Sequence, residues 1–400
     1  VRLPLITYGL KDGKGKVIIA ILRFKKQNLC SNPPIIIFIV DMKQKKLLLF
    51  TLLLVLLATA IHFYSANQIR VENQYATSFY PSYSRLLRHL FGWFPFSIGD
   101  ILYGVILSWL VWKVGKALNA VYKMQVTRES FIAGSYKAIR ILLFIYIIFN
   151  LAWGINYNRV GIADQLHLKM DKYSLADLKM INGLLIEKVN ENKILFLNTG
   201  EKYPNKKQLF TGVQQAYKNA ERSYPFLKYQ PVSLKPSLWS WVGNYMGFTG
   251  YYNPFTGEAQ VNTLVPPFLQ PFISCHEVAH QLGYAKEMEA NFVGYLSGTA
   301  STDPLFKYSV YLDLFIYSNR NLFDIDSTAS KTYREQLAPA VISDLKAWKQ
   351  FNENHQSFLE PVFRVLYGFY LKQNEQPKGV LSYDEVTGFI IAYYKKYGKI

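Results

Sequence analysis

The residues best suited to chemistry are His276-Glu277-Val278-Ala279-His280. Positions i and i+4 of a helix lie about 40° apart, so both imidazoles face one side and can hold one metal ion. Glu277 stands at the edge of that face, where it can act as general base on a water that the metal activates. A hydrolytic zinc site uses three protein ligands and leaves one position open, whereas a structural one fills all four. HEVAHQLG begins like a motif whose third ligand is a histidine three residues after the glycine, but residue 286 is lysine. The remaining common solution is a carboxylate on the next helix, and Lys286-Glu287-Met288-Glu289-Ala290-Asn291 offers it. Glu287 and Asn291 share a face as i and i+4. Glu287 would complete the ligand set with His276 and His280, and Asn291, one turn on, would hold a ligand in place. Glu289, about 200° round the same helix, is the alternative ligand. The cofactor expected is Zn2+.

These residues need a helix, a tight turn and a second helix, and the chain supplies signals for each. Periodicity predicts helices near 268–282 and 286–299, with the turn at Gly283, and Pro266 and Pro267 suit the start of the first. Further helices are expected from Ser174-Leu-Ala-Asp177 onward and near 207–222, 304–320, 330–350, 357–372 and 382–397. Residues 230–263 are rich in aromatics, Gly and Pro and read as short strands and turns. Within them Gly257-Glu258-Ala259-Gln260-Val261-Asn262 alternates and is expected to be an edge strand along which an extended peptide substrate adds itself. Tyr245, Tyr251, Tyr252 and Tyr284 are candidate donors to a tetrahedral oxyanion. Cys275 is expected to be buried and unpaired. The fold class is α+β, mainly helical with a small sheet.

The chain has 400 residues and a net charge of +18, and the charge is unevenly placed. Residues 1–140 hold 19 basic and 5 acidic side chains; residues 141–400 hold 26 and 22. Basicity concentrated around the most apolar segments is how membrane proteins distribute positive charge. A nucleic-acid binder carries a basic stripe on its folded domain, and none is visible, so nucleic acid is excluded as a partner. Residues 1–41 read as an upstream extension of the gene model or a disordered leader. Residues 42–156 read as a membrane region with three spans, near Leu47–Tyr64, Phe96–Trp112 and Ala138–Ile155. The first is an uncleaved anchor, with cleavage as a signal peptide after Ala66 as the alternative. Asp100 reads as the cap of the second span. The 113–140 loop carries Lys113, Lys116, Lys123, Arg128, Lys137 and Arg140 and is expected to be cytoplasmic. Three crossings then place the N-terminus in the cytoplasm and residues 157–400 outside it, in a bacterial inner membrane.

HEVAH followed by EMEAN resembles the zincin metallopeptidases of the gluzincin type, which share a helix bearing the HExxH pair and a second helix bearing a glutamate. Their second motif typically ends in Asp where this chain has Asn291. From Met42 onward, FYPSYSRLLRHLFGWFPFSIGD, LAWGINYNR, GYYNPFTGEAQVN, HEVAHQLG with EMEANF, and GVLSYDEV resemble an uncharacterised bacterial membrane family, domain of unknown function number 3810. That resemblance implies membrane helices followed by a zincin-like domain over 157–400. The function expected is hydrolysis of peptide bonds outside the cytoplasm by a membrane-anchored zinc metallopeptidase. The alternative is a non-catalytic membrane protein whose domain, with or without metal, binds an envelope partner.

Overall fold

The computed structural model describes residues 42–400, without the side chains of 42–44 and 382–384. Three helices, Met42–Ser65, Ile98–Tyr122 and Arg128–Ala152, are long and apolar enough to cross a bilayer, and they mark the chain as a membrane protein. The expectation for residues 1–41 lies outside the described residues. The second and third helices are longer than their apolar stretches. The expected 113–140 loop is therefore only a turn over residues 123–127, and Lys113, Lys116, Lys137 and Arg140 stand on the helices. The first and third helices pack together through Leu54, Ile61 and Ile147.

Between the first two spans, a π-helical stretch, Val71–Phe79, runs into the helix Tyr80–Phe91. Asp100 is not the cap of the second span. Ser97 is: its Oγ accepts from the Asp100 N–H at 3.0 Å. Asp100 itself is buried and binds the chain beyond it. It accepts from the Leu238 N–H at 2.6 Å and from the Tyr251 hydroxyl.

The larger core is helical. Ser174 and Asp177 form a capping box that starts Leu175–Asn198, whose Leu178, Ile181, Leu185 and Val189 recur every three or four residues and are buried against Pro304–Ile325. Each such side chain contributes about 1.5–3 kcal/mol on leaving water. The helix expected over 330–350 is two, Ser327–Glu335 and Pro339–Asn354, because Pro339 drives Ala338 out of the helical region (ψ 147°).

The sheet has three strands, β1 (Leu234–Pro236), β2 (Gly250–Asn253) and β3 (Glu258–Val261), in the order β1-β3-β2. β3 runs parallel to β1, with Ala259 opposite Leu234, and antiparallel to β2, with Gln260 opposite Tyr251. This corrects the expected edge strand at 257–262: both sides of β3 are taken, and all four of its residues are buried.

Its polar side chains serve the fold. The Glu258 carboxylate accepts from the backbone N–H groups of Ile98 and Gly99 at 3.1 and 2.6 Å and so caps the second membrane helix. Gln260 lies 2.9 Å from Ser97 Oγ, and Asn262 donates to Asn244. Gly99 must be glycine, since a Cβ there would sit 2.5 Å from the Asn253 side chain.

The chain on either side of the expected 156/157 boundary packs as one cluster: Tyr80, Trp153, Ile155, Tyr157, Tyr252 and Ala285 share it.

Candidate metal centre

The helix Gln270–Gln281 carries the His-Glu-x-x-His run and lies against β2 and β3. Pro271, not Pro266 or Pro267, occupies its first turn. Its C-terminal carbonyls, which have no partners within the helix, are satisfied by the membrane-proximal chain. The His280 carbonyl accepts from the Trp153 indole at 3.1 Å. The Gln281 carbonyl accepts from Tyr80 and Ser84, each at 3.0 Å. Gly283 then turns the chain at φ +90°, where only glycine is free of strain and where a Cβ would meet the Tyr80 ring at 2.9 Å.

The next helix, Glu287–Thr299, returns along the first. Glu287, Asn291, Gly294 and Gly298 fall at i, i+4, i+7 and i+11, one stripe of that helix. The glycines allow close approach: a Cβ on Gly294 would stand 3.4 Å from the His276 backbone nitrogen. This stripe brings Glu287 and the two histidines together. Their ligand atoms lie within 4.8 Å of one another, and all three residues are buried. His276 Nε2 and His280 Nε2 are 3.1 Å apart, and Glu287 Oε2 is 3.2 and 3.4 Å from them. His280 Nδ1 is 2.8 Å from the Tyr284 carbonyl. A carbonyl only accepts, so Nδ1 carries a proton, and in the neutral ring that metal binding requires it is the Nε2 lone pair that faces the centre. The Asn291 side chain lies beside His276 and favours its protonated form.

Glu289 points elsewhere. It receives the Ile162 N–H, and its Oε1 would lie 2.3 Å from a Cβ on Gly161. Two residues of spacing turn it away from the stripe. Of the four tyrosines proposed as oxyanion donors, Tyr251 donates to Asp100 and Tyr284 to Gln165, while Tyr252 accepts from Tyr80 at 3.2 Å. The Tyr245 ring packs on Trp241 and His355.

Sequence reasoning missed other contributors. The Tyr367 hydroxyl donates to Glu287 Oε1 at 2.6 Å, and the Gln376 side chain accepts from the Glu287 N–H at 3.0 Å. Gly250 packs so closely that a Cβ would lie 2.5 Å from Glu277 Oε1. Nothing in the spacing of 30 tyrosines singles out Tyr367.

Electrostatics polarise the cluster. Burial by itself would raise the Glu287 pKa, but the two imidazoles outweigh it and hold the carboxylate well below its usual range. Burial opposes charge on His280, yet Glu287 drives its pKa up to about 9. His276 is pulled down by burial. Glu277 is pushed up to about 8 by burial, with His280 opposing and Glu287 adding to the rise. Its Oε2 is buried without a hydrogen-bond partner among the described residues. Cys275 is buried and unpaired, and burial pushes its thiol up to about 12, which makes it inert.

A family model described as Protein of unknown function (DUF3810) matches residues 75–391. The chain belongs to that family. The match takes in the second and third spans, the sheet and both helices of the centre, so the DUF3810 match includes every residue placed at the cluster above. No curated protein and no solved structure matches the chain.

Proposed function

We propose that this DUF3810 protein is a membrane-anchored, zinc-dependent hydrolase of peptide bonds, with a zincin-like domain beyond its spans. The observation that carries the reading is the convergence of His276, His280 and Glu287. The edges of 3.1, 3.2 and 3.4 Å agree with the about 3.3 Å between ligands on one face of a tetrahedral zinc with bonds near 2.0 Å. Three donors, not four, cluster among the described residues, which suits an ion with one position open. A zinc ion held there would supply Lewis-acid activation of water and of the scissile carbonyl.

The chain's own groups do the rest. Glu277, with its pKa raised to about 8, is suited to hold a proton near neutral pH and pass it on. Tyr367 and Gln376 fix the Glu287 side chain and backbone, and Tyr284 fixes the His280 ring. β2, paired on one side only among the described residues, replaces β3 as the strand for an extended peptide, because its Gly250 lies against Glu277. The basic residues Lys113, Lys116, Lys123, Arg128, Lys137 and Arg140 lie in the 123–127 turn and along the halves of the two helices that adjoin it. Positive-inside counting puts that end in the cytoplasm of a bacterial inner membrane and the centre outside it.

The burial of His276, Glu277, His280 and Glu287 favours a second reading, a non-hydrolytic protein whose domain binds an envelope partner. The test uses the full chain in detergent, because Trp153, Tyr80 and Ser84 hold the motif helix. Metal content and cleavage of a fluorogenic peptide library are measured for wild type and Glu277→Gln. The hydrolase reading expects about one zinc in both proteins and cleavage only in wild type. Zinc without cleavage in wild type supports the second reading, and wild type without bound metal sinks the first.

A further inference from the structure

The helix Tyr80–Phe91 and the turn after the motif helix enclose a cleft of about 240 Å³, separate from the metal centre. Among the described residues its walls are largely apolar but carry four cations, Arg85, Arg88, Arg159 and Lys228, and no acidic residue, with Gln230 as a neutral donor. Arg159 has its counter-charge, since Glu72 accepts from its Nε and Nη2 at 3.2 and 2.9 Å.

Arg88 has none. It is 3% exposed, and its Nε and Nη1 are buried without a hydrogen-bond partner among the described residues. Its guanidinium lies 5.4 Å from the centre of the Tyr229 ring, a weak substitute for a carboxylate. Burial pulls its pKa down, nearby tyrosines resist, and the Arg85 charge adds to the fall. A guanidinium stays protonated in proteins even so. A buried charge with open donors is costly unless a ligand supplies the missing partner.

We infer that this cleft binds a phosphoryl anion, with Arg88 in its wall and Arg85 and Lys228 beside it. Lys228 reaches Glu221 only at 4.0 Å on the surface, so Arg88 and Arg85 leave a positive surplus at the cleft, and the guanidinium fork suits phosphate oxygens. Two sources share that chemistry. The helix Tyr80–Phe91 joins two membrane-length helices and exposes Leu86 and Leu90, so lipid headgroups are close by; free phosphate is the other. The inference is independent of the metal reading.

Thermal unfolding of the full chain tests it, in detergent with inorganic phosphate or acetate, and in nanodiscs of phosphatidylcholine with and without phosphatidylglycerol. Wild type should be stabilised by phosphate, by phosphatidylglycerol or by both, and not by acetate. A shift with the lipid alone assigns a headgroup, and a shift with phosphate alone a soluble anion; both support the site. Arg88→Met should fold with a ligand-free Tm at least equal to wild type and lose the ligand shift. The surface pair Arg85→Gln/Lys228→Gln, which disturbs no buried group, should weaken binding about tenfold. The inference is overturned if neither ligand stabilises wild type, if acetate matches phosphate, or if the shift survives in Arg88→Met. It is also overturned if Arg88→Met fails to fold while the surface pair binds as wild type does.

Discussion

Two neighbours of the motif helix bury charge in opposite senses. Toward the helix Glu287–Thr299, the His276 and His280 rings and the Glu287 carboxylate face a common point, a set of donors that suits the proposed cation. Toward the helix Tyr80–Phe91, Arg88 presents buried donors with no acceptor, which calls for an anion. Elsewhere the protein closes its own accounts: Arg159 meets Glu72, and Lys193 meets Asp344 at 2.5 Å. Buried charge that the fold completes is structural. Buried charge left incomplete is where a ligand belongs, and the sign of the deficit gives the class of ligand.

The comparison can be broken most forcefully at the proposed metal centre. Glu277→Gln keeps the shape of the side chain but removes the base, and hydrolysis should fall about a thousandfold while metal content stays at wild-type level; plasma emission analysis beside a cleavage assay checks both. Next, His280→Ala and Glu287→Ala should each lose the bound metal, whereas Glu289→Gln should retain it. Equal metal in all three would show that the stripe of Glu287 does not define the centre.

Self-completed and incomplete arginines should also differ in stability. Arg159→Met strands Glu72 in a largely buried place and should cost about 3 kcal/mol or more, read by denaturant unfolding of the detergent-solubilised chain. Arg88→Met, which strands no partner, should cost nothing measurable without ligand. Comparable losses would erase the distinction.

A third way to handle a buried charge is to give it up. Asp313, on the helix Pro304–Ile325, is pushed up to about 7 by burial, with Tyr317 hydrogen bonding in opposition. Its folded-state pKa is raised, so its contribution is fully present below about pH 4 and is lost as pH climbs to about 7. Asp313→Asn should therefore match wild type near pH 4 and exceed it by about 4 kcal/mol at pH 8. A difference that does not grow over that interval would contradict the assignment.

Much of the centre was legible because it is local. His276 and His280 meet by the pitch of one helix, and Glu287 and Asn291 by the pitch of the next, as the spacing predicted. The three apolar spans were legible too, since a bilayer selects on length and composition. The strand at 257–262 was misread for a physical reason: alternation reports that a segment is extended, not whether one or both of its edges are paired. Glu258 looked like part of a substrate strand, and its role as cap of a helix some 160 residues earlier leaves no local trace.

Sequence alone determined which residues lie on one face of a helix and which helices are apolar enough for lipid, because both follow from a repeat of a few residues and the solvation of individual side chains. Tertiary structure alone decided that Glu287 and not Glu289 meets the histidines, that Tyr367 and Gln376 hold it there, that β3 is the middle strand, and that Arg88 ends without a partner. Those outcomes depend on which distant surfaces pack together, and burial and pairing are properties of the packed whole that no spacing along the chain encodes.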